Sequence, residues 1–347
     1  REFVLAWLKA GEKDYAAARA HLARLKPAAG ERSEAPTLVI EAQIDELAGD
    51  KAAAEAKYRR AASLDRTGLR TTLAVAEGLR RLGKDADARE LLKTYGEKYS
   101  DAVVVDALIA PNAPMPKPPS PAAGIAEILF DIGGILASDQ RNQRADLALI
   151  FYQLAASLKP DQDFAWLMIA GLYEQFQQTP KAVAALNKIG PNSPLYWQAR
   201  LRTAALDAQE DKLDQAISRL RALVAEKPAR WDAALTLADL LRTKERYADA
   251  VAAYDTVISR LRNPEERHWQ IYFGRGIALE RTKQWPKAEA DMKKALELSP
   301  EQPYVLNYLG YSWIDQGMKL DEGMKMLERA TELRPDDGSI TDSVGWA

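Results

Sequence analysis

His268–Pro300 reads HWQIYFGRGIALERTKQWPKAEADMKKALELSP. Two helices are written in it. The first carries Tyr272, Gly276 and Leu279; the second carries Ala288, Met292 and Ala295, and Pro300 follows. Large apolar residues recur three or four positions apart, which places them on one face of a helix. Small residues, Gly276 and Ala288, stand where two such helices must approach closely.

The same spacing extends in both directions. Ala148, Ala182, Ala216, Ala250, Ala288 and Gly323 follow one another at intervals of 34, 34, 34, 38 and 35. Tyr152, Leu186, Leu220, Tyr254, Met292 and Leu327 keep those intervals, as do Ala155, Ile189, Leu223, Val257, Ala295 and Ala330. Three columns in register mean an internal repeat. Residues 1–100 carry three fainter copies, aligned on Ala18, Ala54 and Ala88, with Leu22, Tyr58 and Leu92 four positions later. Gly11, Gly49 and Gly83 are expected at the turns between paired helices, where glycine takes a positive φ without strain.

This pattern resembles the tetratricopeptide repeat (TPR), whose signature Trp and Tyr fall here on Trp166 and Tyr173. The resemblance implies an all-α fold, the TPR-type α-α superhelix: a right-handed solenoid of antiparallel helix pairs with first helices on the concave side. Residues 306–338, LNYLGYSWIDQGMKLDEGMKMLERATELRPDDG, resemble the long TPR-containing proteins of Gram-negative bacteria. That likeness leans toward a periplasmic or outer-membrane-associated setting.

The expected organisation is a TPR-like array over 1–106, a Pro-rich linker over 107–121, and a second array over 122–347. The second array holds six repeats and the start of a truncated one. PNAPMPKPPSP at 111–121 has six prolines, whose fixed φ and missing N–H groups forbid helix or central strand. It reads as a spacer about which the arrays reorient; docking into a proline-recognising groove is the alternative. The 38-residue interval adds about one helical turn. Asn263-Pro264-Glu265-Glu266 has the make-up of a helix start, so that repeat is expected to have a longer first helix.

Trp166, Tyr173, Ala182, Leu186, Ala216, Leu220, Leu237, Leu241, Ala250, Tyr254, Leu279, Ala288, Met292 and Leu309 form the expected core.

Composition excludes several functions. The 48 basic and 50 acidic residues give a net charge of −2, which argues against nucleic acid as a partner. No uninterrupted apolar run approaches the roughly 18 residues of a membrane helix, so no membrane span is expected. Cysteine is absent, which removes disulfides and thiolate metal sites. The two histidines, His21 and His268, belong to different arrays and make a poor metal pair. Gly274-Arg275-Gly276 follows no strand and is not a phosphate loop; both glycines fall where repeat helices pack. There is no Walker motif, G-x-S-x-G or HExxH. No enzyme site, metal or cofactor is expected. The carboxylate clamp of some TPR proteins needs Lys at the fifth and Asn at the ninth position of a first helix. No repeat here has that pair.

The expected function is a non-catalytic protein–protein interaction scaffold that holds a partner peptide or protein segment in its concave groove. The alternative is a helper or substrate-recognition array of a larger enzyme, such as a glycosyltransferase or peptidase, or of an export complex. On the helix from Tyr304 to Asp315, Leu306, Leu309 and Trp313 match the repeat core. Tyr304, Tyr308, Tyr311 and Asp315 form a second stripe, at i, i+4, i+7 and i+11. One apolar face suffices to hold a stack, so the tyrosine stripe is assigned to the groove, with Phe273, Arg281, Asp239 and Arg242 on the adjoining wall. Asn307 is expected to bond a peptide backbone. The competing assignment is that the tyrosines pack on neighbouring helices. The chain starts at Arg1 and stops after Val344 and Trp346, which reads as a piece of a longer array whose apolar end supports end-to-end self-association.

Overall fold

The computed structural model describes residues 1–25, 34–64, 68–98, 108, 115–138, 144–210 and 212–347. Among the described residues every regular element is helical. The helices are α1 (Glu2–Gly11), α2 (Tyr15–Ala23), α3 (Glu34–Leu47), α4 (Lys51–Ser63), α5 (Leu69–Arg81), α6 (Asp85–Lys98), α7 (Pro121–Ser138), α8 (Ala145–Leu158), α9 (Asp163–Gln175) and α10 (Thr179–Leu186). They continue as α11 (Tyr196–Gln209), α12 (Leu213–Glu226), α13 (Asp232–Thr243), α14 (Tyr247–Arg260), α15 (Trp269–Arg281), α16 (Trp285–Leu298), α17 (Pro303–Asp315), α18 (Leu320–Leu333) and α19 (Gly338–Trp346). Contacts divide the chain into two compact units, Arg1–Arg200 and Leu201–Ala347.

Each unit is built from helix pairs, and the small-residue columns explain why. Ala18, Ala54, Ala88, Ala148, Ala182, Ala216, Ala250 and Ala288 are all fully buried. A methyl group is all that fits where a second helix crosses its first. Gly276 shows the approach directly: a Cβ there would lie 3.2 Å from Met292 Cγ and 3.4 Å from the Ala288 carbonyl.

The turn inside each pair repeats as well. Lys13, Gly49, Gly83, Gln177, Glu245, Lys283 and Gly317 all have positive φ, between 55° and 83°. They stand at one position, just before the second helix. Gly11, by contrast, is the last residue of α1 and Lys13 takes the left-handed conformation in its place. Gly11 is needed for another reason, since a Cβ there would meet Pro121 Cγ at 3.3 Å.

Of the expected core, twelve residues are buried. Trp166 and Tyr173 are only half-buried. Their polar tips are satisfied near the surface: Trp166 Nε1 donates to the Pro160 carbonyl at 2.9 Å, and the Tyr173 hydroxyl accepts from Gln153 at 2.9 Å. The buried positions of α9 are Ala165, Ile169, Ala170 and Leu172.

The 38-residue interval does not lengthen the α-helix. α15 has 13 residues, as α17 does. The extra residues form a loop and a 3-10 turn at Glu266–His268. Its cap is Glu265, not Asn263, and His268 Nδ1 accepts from the Glu265 N–H at 2.8 Å.

In the first unit α7 seats against α1. Ile125 and Ile128 join the cluster of Trp7, Ala6, Leu22 and Ile44. The first pairs and the stretch read as the opening of the second array therefore share one compact unit. Residues 99–107 and 109–114, where the cap and part of the linker were expected, lie outside the described residues. The described end of the Pro-rich stretch makes contacts: the Lys117 carbonyl accepts from Arg81 at 3.3 Å, and Lys117 Nζ pairs with Asp161 at 2.5 Å.

α7 is the one apolar helix of membrane-spanning length among the described residues. Its 18 residues, with a mean hydropathy of 1.4, are long and apolar enough to cross a membrane. Glu127 and Asp131 interrupt the run in sequence. Both carboxylates pair with Arg70, and Glu127 also with Lys159 at 3.1 Å. Placing α7 in hydrocarbon would break these pairs at high cost.

Candidate functional site

In the second unit α13, α15 and α17 are the first helices of successive pairs, and α13 touches α15. They carry all nine residues assigned to the groove wall.

Asp239 and Arg242, one turn apart on α13, meet at Tyr254 of α14. The Tyr254 hydroxyl donates to Asp239 Oδ1 at 2.5 Å and accepts from Arg242 Nε at 3.1 Å. Arg242 also lies 3.8 Å from Asp239. The Tyr254 ring is fully buried. Burial, then the Asp239 charge, raises its hydroxyl pKa far above the ordinary value. At this site Tyr254 is a neutral donor.

Phe273 and Tyr308 are brought together edge to face, with centroids 5.8 Å apart. Such a pair adds attraction beyond its buried area. The Tyr308 hydroxyl donates to Glu280 Oε2 at 3.2 Å. Its pKa is pushed up to about 12, chiefly by burial and then by Glu280, with Arg281 opposing. Arg281 is exposed beside Glu280, 3.5 Å away.

The tyrosine stripe divides. Tyr308 turns to α15, whereas Tyr304 and Tyr311 turn to the other side. Arg334 donates to the Tyr304 hydroxyl at 3.4 Å, and the Tyr311 ring tilts against Trp346 with centroids 4.6 Å apart. The tyrosines thus pack largely on neighbouring helices. Asp315 is exposed at the end of α17. Asn307 stands between Tyr304 and Tyr311 on one face, and its Oδ1 is buried with no hydrogen bond among the described residues. At the end of the unit Ile340 is buried with Leu306 and Ala330, while Trp346 stays 54% exposed.

Sequence reasoning missed Tyr254 and Glu280 as parts of this site. Tyr254 stood in a core column, and only its hydroxyl, at a position where its neighbours are Leu or Met, hinted at a polar end. Nothing in the local pattern marked Glu280.

Residues 201–266 and 235–303 match the tetratricopeptide repeat family. A TPR repeat-containing protein of Pseudomonas aeruginosa is 25% identical over 185 residues, covering 53% of this chain and 30% of the relative. The chain thus spans under a third of that relative's length. Among solved structures, a chain of the APC/C hetero-tetramer Cut9–Hcn1 is 12% identical, with 99% of this chain and 82% of that chain covered and a TM-score of 0.47. YrrB, a TPR protein with an unusual peptide-binding site, is 15% identical, with 54% and 89% covered and a TM-score of 0.38. The family match runs from within α11 to the start of α17, and this part of the chain is built of tetratricopeptide repeats.

Proposed function

We propose that the protein is a non-catalytic interaction scaffold, and that the face formed by α13, α15 and α17 holds a peptide segment of a partner protein. One observation carries this reading. Asn307 Oδ1 is a buried acceptor without a donor among the described residues, on the same helix face as Tyr304 and Tyr311. A buried polar group left unpaired costs about 1–3 kcal/mol, so such groups ask for a partner. A peptide N–H supplies one.

Around it, Arg281 and Asp315 are exposed charges, and Tyr304 is 41% exposed. Tyr and Arg offer large contact area with polar ends, the chemistry that most often anchors interfaces. Asp239 and Arg242 are already bonded to Tyr254, so they shape the wall and contribute charge at its rim.

A peptide library selected on the parent protein tests this reading. Selected peptides are expected to bind Asn307→Ala and the pair Tyr308→Ala with Tyr311→Ala at least about tenfold more weakly, the scale of one lost hydrogen bond to a buried group. The variants must first melt as the parent does. Unchanged affinity would remove this face and move the binding function to another surface.

A further inference from the structure

One second helix of the first unit departs from the repeat on its outward face. α8 buries Ala148, Tyr152, Ala155 and Ala156 on one side. On the other, Leu147, Ile150, Leu154 and Leu158 are 38%, 50%, 46% and 42% exposed. They recur at i, i+3, i+7 and i+11, an apolar stripe along the whole helix. The repeat itself does not ask for it. Aligned on the buried alanine, the same four positions of α14 are Asp249, Ala252, Thr256 and Arg260. Those of α6 and α12 carry no large apolar residue either. One apolar face holds a helix to its pair, so a second, exposed one marks an interaction surface.

We propose that this surface binds a second copy of the chain, and that two copies of α8 pack antiparallel across a two-fold axis near the middle of the helix. The stripe is self-complementary about a point between Tyr152 and Gln153. Moving outward from that point meets Leu154 in one direction and Phe151 in the other, then Leu158 and Leu147. In an antiparallel pair Leu147 therefore faces Leu158 of the second copy. Phe151, half-buried in its own chain, faces Leu154 of the second copy. A two-fold interface requires this, because one patch must fit itself.

The ends of the helix match in charge. Arg144 is exposed just before α8 and has no ion pair among the described residues. Antiparallel pairing brings it opposite Asp161, three residues past the end of α8. Asp161 keeps 49% of its side-chain exposure and its present partner Lys117 keeps 83%, so a second cation reaches it through solvent. Within α8 the one charge is Asp146, and nothing along the stripe resists an identical helix. A helix that lies on a lipid surface has a different make-up, with Lys and Arg on its polar side. α8 contains neither.

Sedimentation of the full chain tests the proposal. α8 has 14 residues and is about 21 Å long, a small contact, so the dimer should be reversible and half-formed at about 10–100 µM. Ile150→Glu with Leu154→Glu should weaken it at least about tenfold and, both side chains being exposed, should melt as the parent does. Arg144→Glu alone and Asp161→Arg alone should each weaken it several-fold, because like charges then meet at both ends. An equimolar mixture of those two variants should regain the parent's association, since a dimer of one of each restores opposite charges at both ends. This exchange leaves the stripe untouched and reads the pairing register by itself. A parent that stays monomeric at about 200 µM would overturn the proposal, as would a dimer indifferent to the two glutamates. Charge variants that mixing does not rescue would overturn the antiparallel register. A monomer that binds phosphatidylglycerol vesicles through the same stripe would assign the face to lipid and overturn the proposal as well.

Discussion

Tyr254 reaches Asp239 through a gap that Gly274 leaves open. A Cβ at Gly274 would lie 2.4 Å from the Tyr254 hydroxyl oxygen and 2.7 Å from its ring. The same device occurs in the first unit. Tyr58 lies against Gly78, where a Cβ would fall 2.2 Å from the ring, and its hydroxyl donates to Glu46 and accepts from Arg81, at 3.1 and 3.2 Å. In both places a tyrosine of a second helix passes a glycine twenty residues later. It delivers a buried hydroxyl to a carboxylate and an arginine.

Gly274→Ala should therefore destabilise the protein by about 1–3 kcal/mol, the cost of overpacking a closed contact. The buried Tyr254 has no room to retreat. Gly345→Ala, with nothing within 4 Å of the added Cβ, is the control and should melt as the parent does. Equal melting temperatures for Gly274→Ala and the parent would refute the close contact.

Arg275 holds Asp291 with two bonds of 2.7 Å, and reaches Asp255 at 2.6 Å. The Asp291 side chain is 8% exposed and that of Arg275 21%. Arg275→Met should leave a buried carboxylate unpaired and cost about 3 kcal/mol, the low end for breaking a buried pair. Adding Asp291→Asn should recover part of the loss. Burial already raises the Asp291 carboxyl, with Arg275 opposing. Losing Arg275 raises it further, so the defect should shrink as pH falls and the carboxyl takes up a proton. Urea midpoints of the two variants between pH 4 and pH 8 check both statements.

His268 should make stability depend on pH. It is 4% exposed, lies edge-on to Trp231 and accepts the Glu265 N–H on Nδ1. Burial, then the charge of Arg267, holds its pKa below the ordinary 6.5, with Glu265 opposing. The unfolded chain therefore takes up a proton at higher pH than the folded one. This contribution is present above 6.5 and is lost as pH falls toward the folded value. His268→Gln keeps an acceptor for the cap and does not titrate. The stability difference between parent and variant should move against the parent as pH falls from 7.5 to 5.5. A difference constant over that range would exclude the histidine as the cause.

The alanine columns, the helix pairs and most of the core were legible in the sequence, because they follow from a period of 3.6 residues and from the size of a methyl group. Close approach at Ala182 or Ala288 admits nothing larger, whatever the rest of the chain does. Trp166 shows where the pattern stops: its spacing matches the signature, yet its indole bonds a carbonyl near the surface. What only the tertiary structure decided lies between helices distant in sequence. Periodicity places Tyr304, Tyr308 and Tyr311 on one stripe, but not on which neighbour each settles; α15 takes Tyr308, and α18 and α19 take the others. The seat of α7 against Trp7 and Arg70, more than fifty residues away, leaves no trace in local spacing. The same holds for the hydroxyl of Tyr254 at Asp239. Helix formation depends on neighbours three or four residues apart, whereas these contacts depend on how stacked pairs curve, a sum of many small packing angles that no single stretch of sequence encodes.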